Sequence, residues 1–164
     1  MPYRPIIGVL GYVLDATGER VLMVLRSRDG DVHQGKYNGL GGKLEADEDV
    51  VTCLHRELME EAGITVTAQR LRGTISWPGF GAEGEDWFGF VFVVDAYTGE
   101  VPRRNDDGPL DWVERDRLLG AGEPLPMWPG DRHFLPLVFD DDPRPFHGVM
   151  PYTDGEPTGW SYRR

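Results

Sequence analysis

Two β-rich apolar runs open the chain, Ile6 to Leu14 and Val21 to Arg26, and Asp15-Ala16-Thr17-Gly18 between them has the composition of a hairpin turn. Residues 27–39 are polar and contain glycine, which predicts a loop. Val50, Val51, Leu54 and Leu58 then recur at helical spacing, an apolar stripe that would dock a helix on a core. Thr65 to Trp77 and Trp87 to Tyr97 read as two further strands, joined by the glycine-rich segment Pro78 to Glu85, which is expected to be mobile. Leu110 to Val113 predicts a short strand and Glu114 to Leu119 a short helix. From Gly120 to Gly130, six of eleven positions are glycine or proline, and this stretch carries an exposed-looking Met127-Trp128. Asp131 to Phe139 returns to helical spacing, with Pro136 either in the first turns or kinking the helix. After Asp140-Asp141-Asp142-Pro143, the segments Phe146 to Tyr152 and Trp160 to Tyr162 predict a closing hairpin around Asp154-Gly155. Strands, helix, strands, helix, strands is the order of a mixed sheet flanked by helices, an α/β (α+β) architecture. With no repeat and no linker, the 164 residues predict a single domain over 1–164.

Composition narrows the partners. The chain holds 28 acidic against 17 basic residues, a formal charge of −11, which argues against a nucleic-acid polymer because such binding rests on basic contacts to phosphate. An anionic phosphate ester remains acceptable if a bound divalent cation reverses the field locally. The lone Cys53 has no disulfide partner and would pack as a small apolar side chain, in keeping with a reducing cytoplasm. The N-terminal MPYRPIIGVLGYVLD lacks a basic region with a cleavage site, and its apolar run is too short to span a bilayer. Cytoplasmic location without membrane association is therefore expected. Monomer and homodimer are left undetermined.

The candidate chemistry sits in GKLEADEDVVTCLHRELMEEAGI, Gly42 to Ile64. Glu57, Glu60 and Glu61 stand at i, i+3 and i+4, so they share a helix face. Adjacent carboxylates repel one another, and a cation would relieve them. Oxygen ligands suit hard divalent ions, which favours Mg²⁺ with Mn²⁺ as the alternative. Zinc is disfavoured, since no Cys/His cluster has ligand spacing. A solvated acidic face is the plain alternative for such a charge run. Against it, Gly41-Gly42 and Gly63 bracket the helix where a backbone must turn tightly or approach a ligand. Arg56 is expected to pair with Glu48 across the loop, in an orienting role.

These residues resemble the Nudix box position for position: Gly42, then Glu48, Arg56-Glu57, Glu60-Glu61, Gly63 and Ile64. The family cleaves nucleoside diphosphates linked to another group, and its α/β/α sandwich with a mixed sheet agrees with the element order above. The likeness continues in KYNGLGGK (Lys36 to Lys43), MWPGDRHFLPL (Met127 to Leu137) and PFHGVMPY (Pro145 to Tyr152). These are similar to the oxidised-purine nucleoside triphosphatases, the MutT-like 8-oxo-dGTP diphosphatases. The resemblance implies a catalytic group of Glu57, Glu60, Glu61, Arg56 and Glu48. It implies a metal held by Glu57, Glu60, Glu61, the carbonyl of Gly41 and an acidic residue of a later loop, Asp107 or failing that Asp111. It implies a nucleotide site of Arg26, Asn38, Leu40, Gly41, Gly42, Lys43, Trp128 and Asp131, with Asn38 on the purine and Trp128 stacked against it; Arg28 and Trp77 are further candidates. Where animal members carry two adjacent aspartates, this chain has Gly130-Asp131, leaving one carboxylate to read the purine edge. Hydrolysis of oxidised purine nucleoside triphosphates to monophosphate and pyrophosphate is thus expected. Two alternatives stay open: another nucleoside diphosphate derivative (ADP-ribose, a nucleotide sugar, a dinucleoside polyphosphate) and a catalytically silent nucleotide sensor.

Overall fold

The computed structural model describes residues 1–164. Strands β1 (Ile6–Leu14), β2 (Arg20–Leu25), β3 (Tyr37–Asn38) and β4 (Leu40–Lys43) precede helix α1 (Val50–Ala62). Strands β5 (Thr65–Trp77), β6 (Trp87–Thr98), β7 (Arg104–Asn105) and β8 (Gly108–Glu114) follow, then helices α2 (Arg115–Leu118) and α3 (Asp131–Val138). The chain closes with β9 (Phe146–Val149), β10 (Tyr152–Thr153), β11 (Glu156–Pro157) and β12 (Ser161–Arg163). The sheet runs β12-β9-β5-β6-β1-β2-β8-β7, with β3 on β2 and β4 on β1. It is mixed, because β1 pairs with β6 and β5 with β9 in parallel while the other neighbours are antiparallel.

Alternation along the central strands sorts the core into two layers. Val9, Val13, Leu22, Val24, Phe92 and Val94 face α1, where Cys53, Leu54, Leu58 and Ala62 cover them. The intervening Tyr12, Val21, Met23, Val91 and Val93 face the opposite way, against Phe134, Leu135 and Val138 of α3. The result is the α/β/α sandwich expected from the element order.

Helix α1 is fixed at both ends by local chemistry. The Asp49 carboxylate accepts from the Val51 and Thr52 amides at 2.8 and 2.9 Å, satisfying two free donors of the first turn. Gly63 closes the helix at φ 64°, a left-handed conformation suited to glycine, and its amide donates to the Met59 carbonyl. Within α1, Cys53 is fully buried, and burial pushes its thiol up to about 12. The native protein should therefore resist a thiol-specific disulfide reagent at pH 8 and react only after denaturation; rapid native labelling would contradict this packing.

Arg72 of β5 is the one buried charged residue, 2% exposed. It donates to the carbonyls of Val138 and Asp142 at 2.9 and 2.8 Å and to the Asp140 carboxylate at 3.0 Å. A cation thereby caps the C-terminal end of α3 and anchors that helix to the sheet. Pro136 lies inside α3 rather than in its opening turn. In so short a helix it costs a single intrahelical hydrogen bond. The closing hairpin is nested: β12 pairs with β9, and inside it β10 and β11 form a two-residue turn with Asp154 at φ 51° and Gly155 at φ 78°. Pro78 to Glu85 is held rather than loose. The Gly79 amide donates to Asp86 and the Glu83 amide to Glu85, at 3.0 and 2.7 Å, and Phe80 turns inward. No helix is long and apolar enough to cross a membrane.

Candidate active site

A cavity of about 530 Å³ opens between α1, β4 and the segments leading into β3 and α3, within the range of small-molecule sites. One end is acidic, lined by Glu57, Glu61 and Asp107 with Arg26 among them; the other is aromatic, lined by Trp77, Phe80, Trp128 and Phe134.

The acidic end is built by α1 lying tightly over β4. A side chain on Gly42 would strike the Glu57 carboxylate, and one on Gly41 would strike the Val9 carbonyl across the β1–β4 pairing. Two glycines in succession are what let the helix carboxylates reach the sheet backbone. Arg56 grips Glu48 with two bonds, Nη2 to Oε1 at 2.6 Å and Nε to Oε2 at 2.9 Å, and donates from Nη1 to Glu57 Oε1 at 2.9 Å. The guanidinium holds Glu48 down to about 2 and orients Glu57, the role expected of it. Glu61 accepts from the Gly41 amide at 3.1 Å, and burial pushes its carboxyl up to about 8, with the charges of Glu57 and Asp107 adding to the rise. Burial also raises Glu57.

Glu60 does not join this group. Its side chain is 58% exposed and turns toward Arg56, Oε2 lying 3.4 Å from Nη1. At 100° per residue Glu57 and Glu61 stand only about 40° apart around the axis, whereas Glu60 falls between Glu57 and Arg56. No three acidic, histidine or cysteine side chains converge at ligating distance. The donors nonetheless fit a hard divalent ion. They are two half-buried carboxylates that repel one another, a third on Asp107, and no soft ligand.

Of the later-loop acids, Asp107 lines the cavity, whereas Asp111 accepts from the Tyr37 hydroxyl at 2.9 Å and does not line it. Arg26 lines the cavity too, donating to Asp31 at 2.7 Å and lying 3.7 Å from Asp107, while Arg28 reaches Asp107 only at 3.8 Å from a more exposed position. Leu40 is a correction. Its side chain is fully buried beneath α1 and packs against Leu54 and Leu58 in the core, whereas Gly41, Gly42 and Lys43 line the cavity.

At the aromatic end, Asn38 lines the cavity and donates to the Lys36 carbonyl at 3.3 Å. Trp128 is 6% exposed, not the exposed residue its loop suggested. Its indole Nε1–H donates to His33 Nδ1 at 2.7 Å, and Phe80 and Tyr152 meet its ring in T-shaped contacts at 4.9 and 6.0 Å. Asp131, the first residue of α3, is half-buried in the cavity wall with no hydrogen-bond partner, and burial pushes it up to about 7. Gly130 before it is buried, and a side chain there would run into the Met150 sulfur and the Tyr152 hydroxyl. Asp31, His33, Phe80 and Tyr12 escaped the sequence reading. Only Tyr12, inside an apolar strand, carried a usable signal.

The NUDIX domain matches residues 3–138 of this chain, box included. The chain belongs to the Nudix family. It is a Nudix hydrolase, and enzymes of this kind bind nucleotide substrates and generally use divalent metal ions. An uncharacterised Nudix hydrolase of Bacillus subtilis, YvcI, is 30% identical over 141 residues, covering 84% of this chain and 82% of its own. The oxidised purine nucleoside triphosphate hydrolase of Danio rerio is 32% identical, covering 79% of this chain and 78% of its own. A MutT protein of Bacillus halodurans superposes with a TM-score of 0.78 at 28% identity, covering 96% of this chain and 97% of that one. The Nudix box thus occupies α1 and the turn before it, while the aromatic end draws on segments far outside it.

Proposed function

We propose that this Nudix hydrolase cleaves purine (deoxy)nucleoside triphosphates, 8-oxo-dGTP among them, to the monophosphate and pyrophosphate, as in sanitation of the nucleotide pool. The observation that carries the reading is one cavity with carboxylates at one end and, at the other, an indole beside a partnerless carboxyl. The similarity to oxidised purine nucleoside triphosphate hydrolases supports it.

In this reading the triphosphate lies toward Arg26, Lys43 and the acidic end, and the base lies toward Asn38, Trp128 and Asp131. Glu57, Glu61, Asp107 and the Gly41 carbonyl would hold Mg²⁺ or Mn²⁺. When bound, the ion would neutralise phosphate charge and lower the pKa of the attacking water. Arg56 engages one oxygen of Glu57, which leaves Oε2 free, and that carboxylate is our first choice to accept the proton of the water. Glu48 keeps Arg56 in place. Asn38 supplies both a donor and an acceptor to a base edge, and Trp128 supplies an aromatic face.

A panel of dGTP, 8-oxo-dGTP, 2-oxo-dATP, ADP-ribose and a nucleotide sugar, assayed with Mg²⁺ and scored for pyrophosphate against phosphate, tests the assignment. Pyrophosphate release with a preference for the oxidised purines is expected. Turnover confined to ADP-ribose or a sugar nucleotide would replace it, and nucleotide binding without turnover in either metal would point to a sensor.

Asp131 adds a pH signature. Below about pH 7 its neutral carboxyl donates to the base, and above it the carboxylate only accepts. The KM for 8-oxo-dGTP should shift roughly three- to tenfold between about pH 6 and pH 8. Asp131→Asn, whose amide keeps both functions at every pH, should flatten that profile. A wild-type KM already flat across this range would remove Asp131 from base reading.

A further inference from the structure

The loop between β2 and β3 contributes a residue to the aromatic end that lies outside the Nudix box. His33 is half-buried there, and its imidazole meets the Trp128 ring edge-on with centroids 5.4 Å apart. The indole Nε1–H donates to Nδ1 at 2.7 Å across 95 residues of sequence. His33 is itself held: its backbone amide donates to Asp31 Oδ1 at 3.0 Å, and Asp31 Oδ2 accepts from Arg26 Nε at 2.7 Å. Arg26 in turn lies 3.7 Å from Asp107. A continuous polar chain therefore runs from the acidic end to the indole. Lys36 Nζ stands over the Trp128 ring, 4.5 Å from its centre. The Tyr37 amide, donating to the Pro126 carbonyl at 2.7 Å, ties the same loop to the segment carrying Trp128.

We propose that His33 is a positioning residue that locks the plane of Trp128 by accepting its indole N–H, and so sets the affinity of this enzyme for the base of its substrate. A stacking platform contributes only if its plane is already fixed when the base arrives, since ordering it later costs affinity. The indole is a donor only, and His33 Nδ1 is its sole polar partner within reach. To accept there, neutral His33 must carry its proton on Nε2. Protonation would turn Nδ1 into a donor and break the lock. Burial and the neighbouring Arg26 and Lys36 hold His33 in the neutral form, against the opposing charges of Asp31 and Asp107. The consequence for affinity rests on the proposed base-stacking role of Trp128. The lock itself does not.

Two measurements separate these. In the full-length protein, the indole N–H resonance of Trp128 in a ¹H–¹⁵N spectrum, assigned by its loss in Trp128→Phe, should sit at a hydrogen-bonded position. It should move toward the solvent-exposed position as His33 titrates on acidification, and should already be there in His33→Leu at neutral pH. A resonance indifferent both to pH and to His33→Leu would overturn the lock, and the pH arm needs no variant to fold. In kinetics, His33→Leu should raise KM for the purine triphosphate roughly three- to tenfold with kcat nearly unchanged. His33→Asn, whose carbonyl oxygen can occupy the position of Nδ1, should restore KM to within about twofold. In a Trp128→Phe background, His33→Leu should change nothing further. A fall in kcat with no rescue by asparagine would mean a merely structural loop and would overturn the positioning role. If the resonance moves as expected but Trp128→Ala leaves KM untouched for every nucleotide, it is the base-stacking reading that falls.

Discussion

Glu61→Gln should abolish turnover and stabilise the metal-free protein at the same time. Glutamine keeps the shape and can still accept from the Gly41 amide, so the β4–α1 contact survives. What it loses is the charge that would hold a divalent ion, and a drop in kcat of about a thousandfold is expected in a Mg²⁺ titration. The stability effect has the opposite sign. Burial raises the folded-state value of Glu61 to about 8, above its unfolded value. An acid raised in this way favours folding only while protonated in both states. Its penalty therefore begins as pH climbs past the unfolded value and grows until about pH 8. In chelator at pH 7.5 the variant should melt higher than the wild type by roughly 5 °C, with the gap closing below about pH 5. Activity bought with local instability is a recurring trade at enzyme sites. Near-normal turnover would remove Glu61 from the metal-binding group, and an unchanged melting temperature would contradict its burial as a strained carboxyl.

Trp128→Ala should be the most damaging change at the aromatic end, for two separable reasons. The side chain is 6% exposed and packs in the core layer shared with Phe134, Tyr152 and Leu125. Truncation there should cost about 3–5 kcal/mol and lower the melting temperature by about 10 °C. Loss of a stacking face should also raise KM for purine triphosphates about tenfold to a hundredfold. Trp128→Phe separates the two, recovering most of the stability and part of the affinity. A Trp128→Ala protein that melts early yet keeps its KM would assign the residue to the core alone.

The acidic end of the site was legible because its spacing is carried by one helix, where 100° per residue converts sequence into geometry. Even there the spacing overstated the group: Glu60 satisfies the i, i+3 rule yet is drawn toward Arg56. The two core layers were legible in the same way, through the apolar runs of β1, β2, β5 and β6. The aromatic wall was not. His33 and Phe80 come from loops and meet Trp128 far along the chain, 95 residues on in the case of His33, while Asp31 holds only its own loop. Nothing periodic announces such a pairing. Arg72 was hidden for the opposite reason. A lone arginine in a strand reads as solvated, and its partners are mostly backbone carbonyls at and just beyond the end of α3 that no residue-type pattern records. Leu40 was misplaced because its neighbours do line the cavity, while its own side chain is taken up by the core beneath α1.

Gly130 looks in the sequence like a vacancy beside Asp131, a place where a second carboxylate has been lost. In the folded chain the place is taken. The Met150 sulfur and the Tyr152 hydroxyl stand where its side chain would be, and both come from a segment beyond residue 138, where the matched NUDIX domain ends. Positions 130, 150 and 152 therefore share one volume and behave as a single trait. Gly130→Asp alone would be an insertion into filled space rather than a restoration. A carboxylate at position 130 would need room made at positions 150 and 152, so this corner of the cavity is shaped by the C-terminal segment as much as by α3.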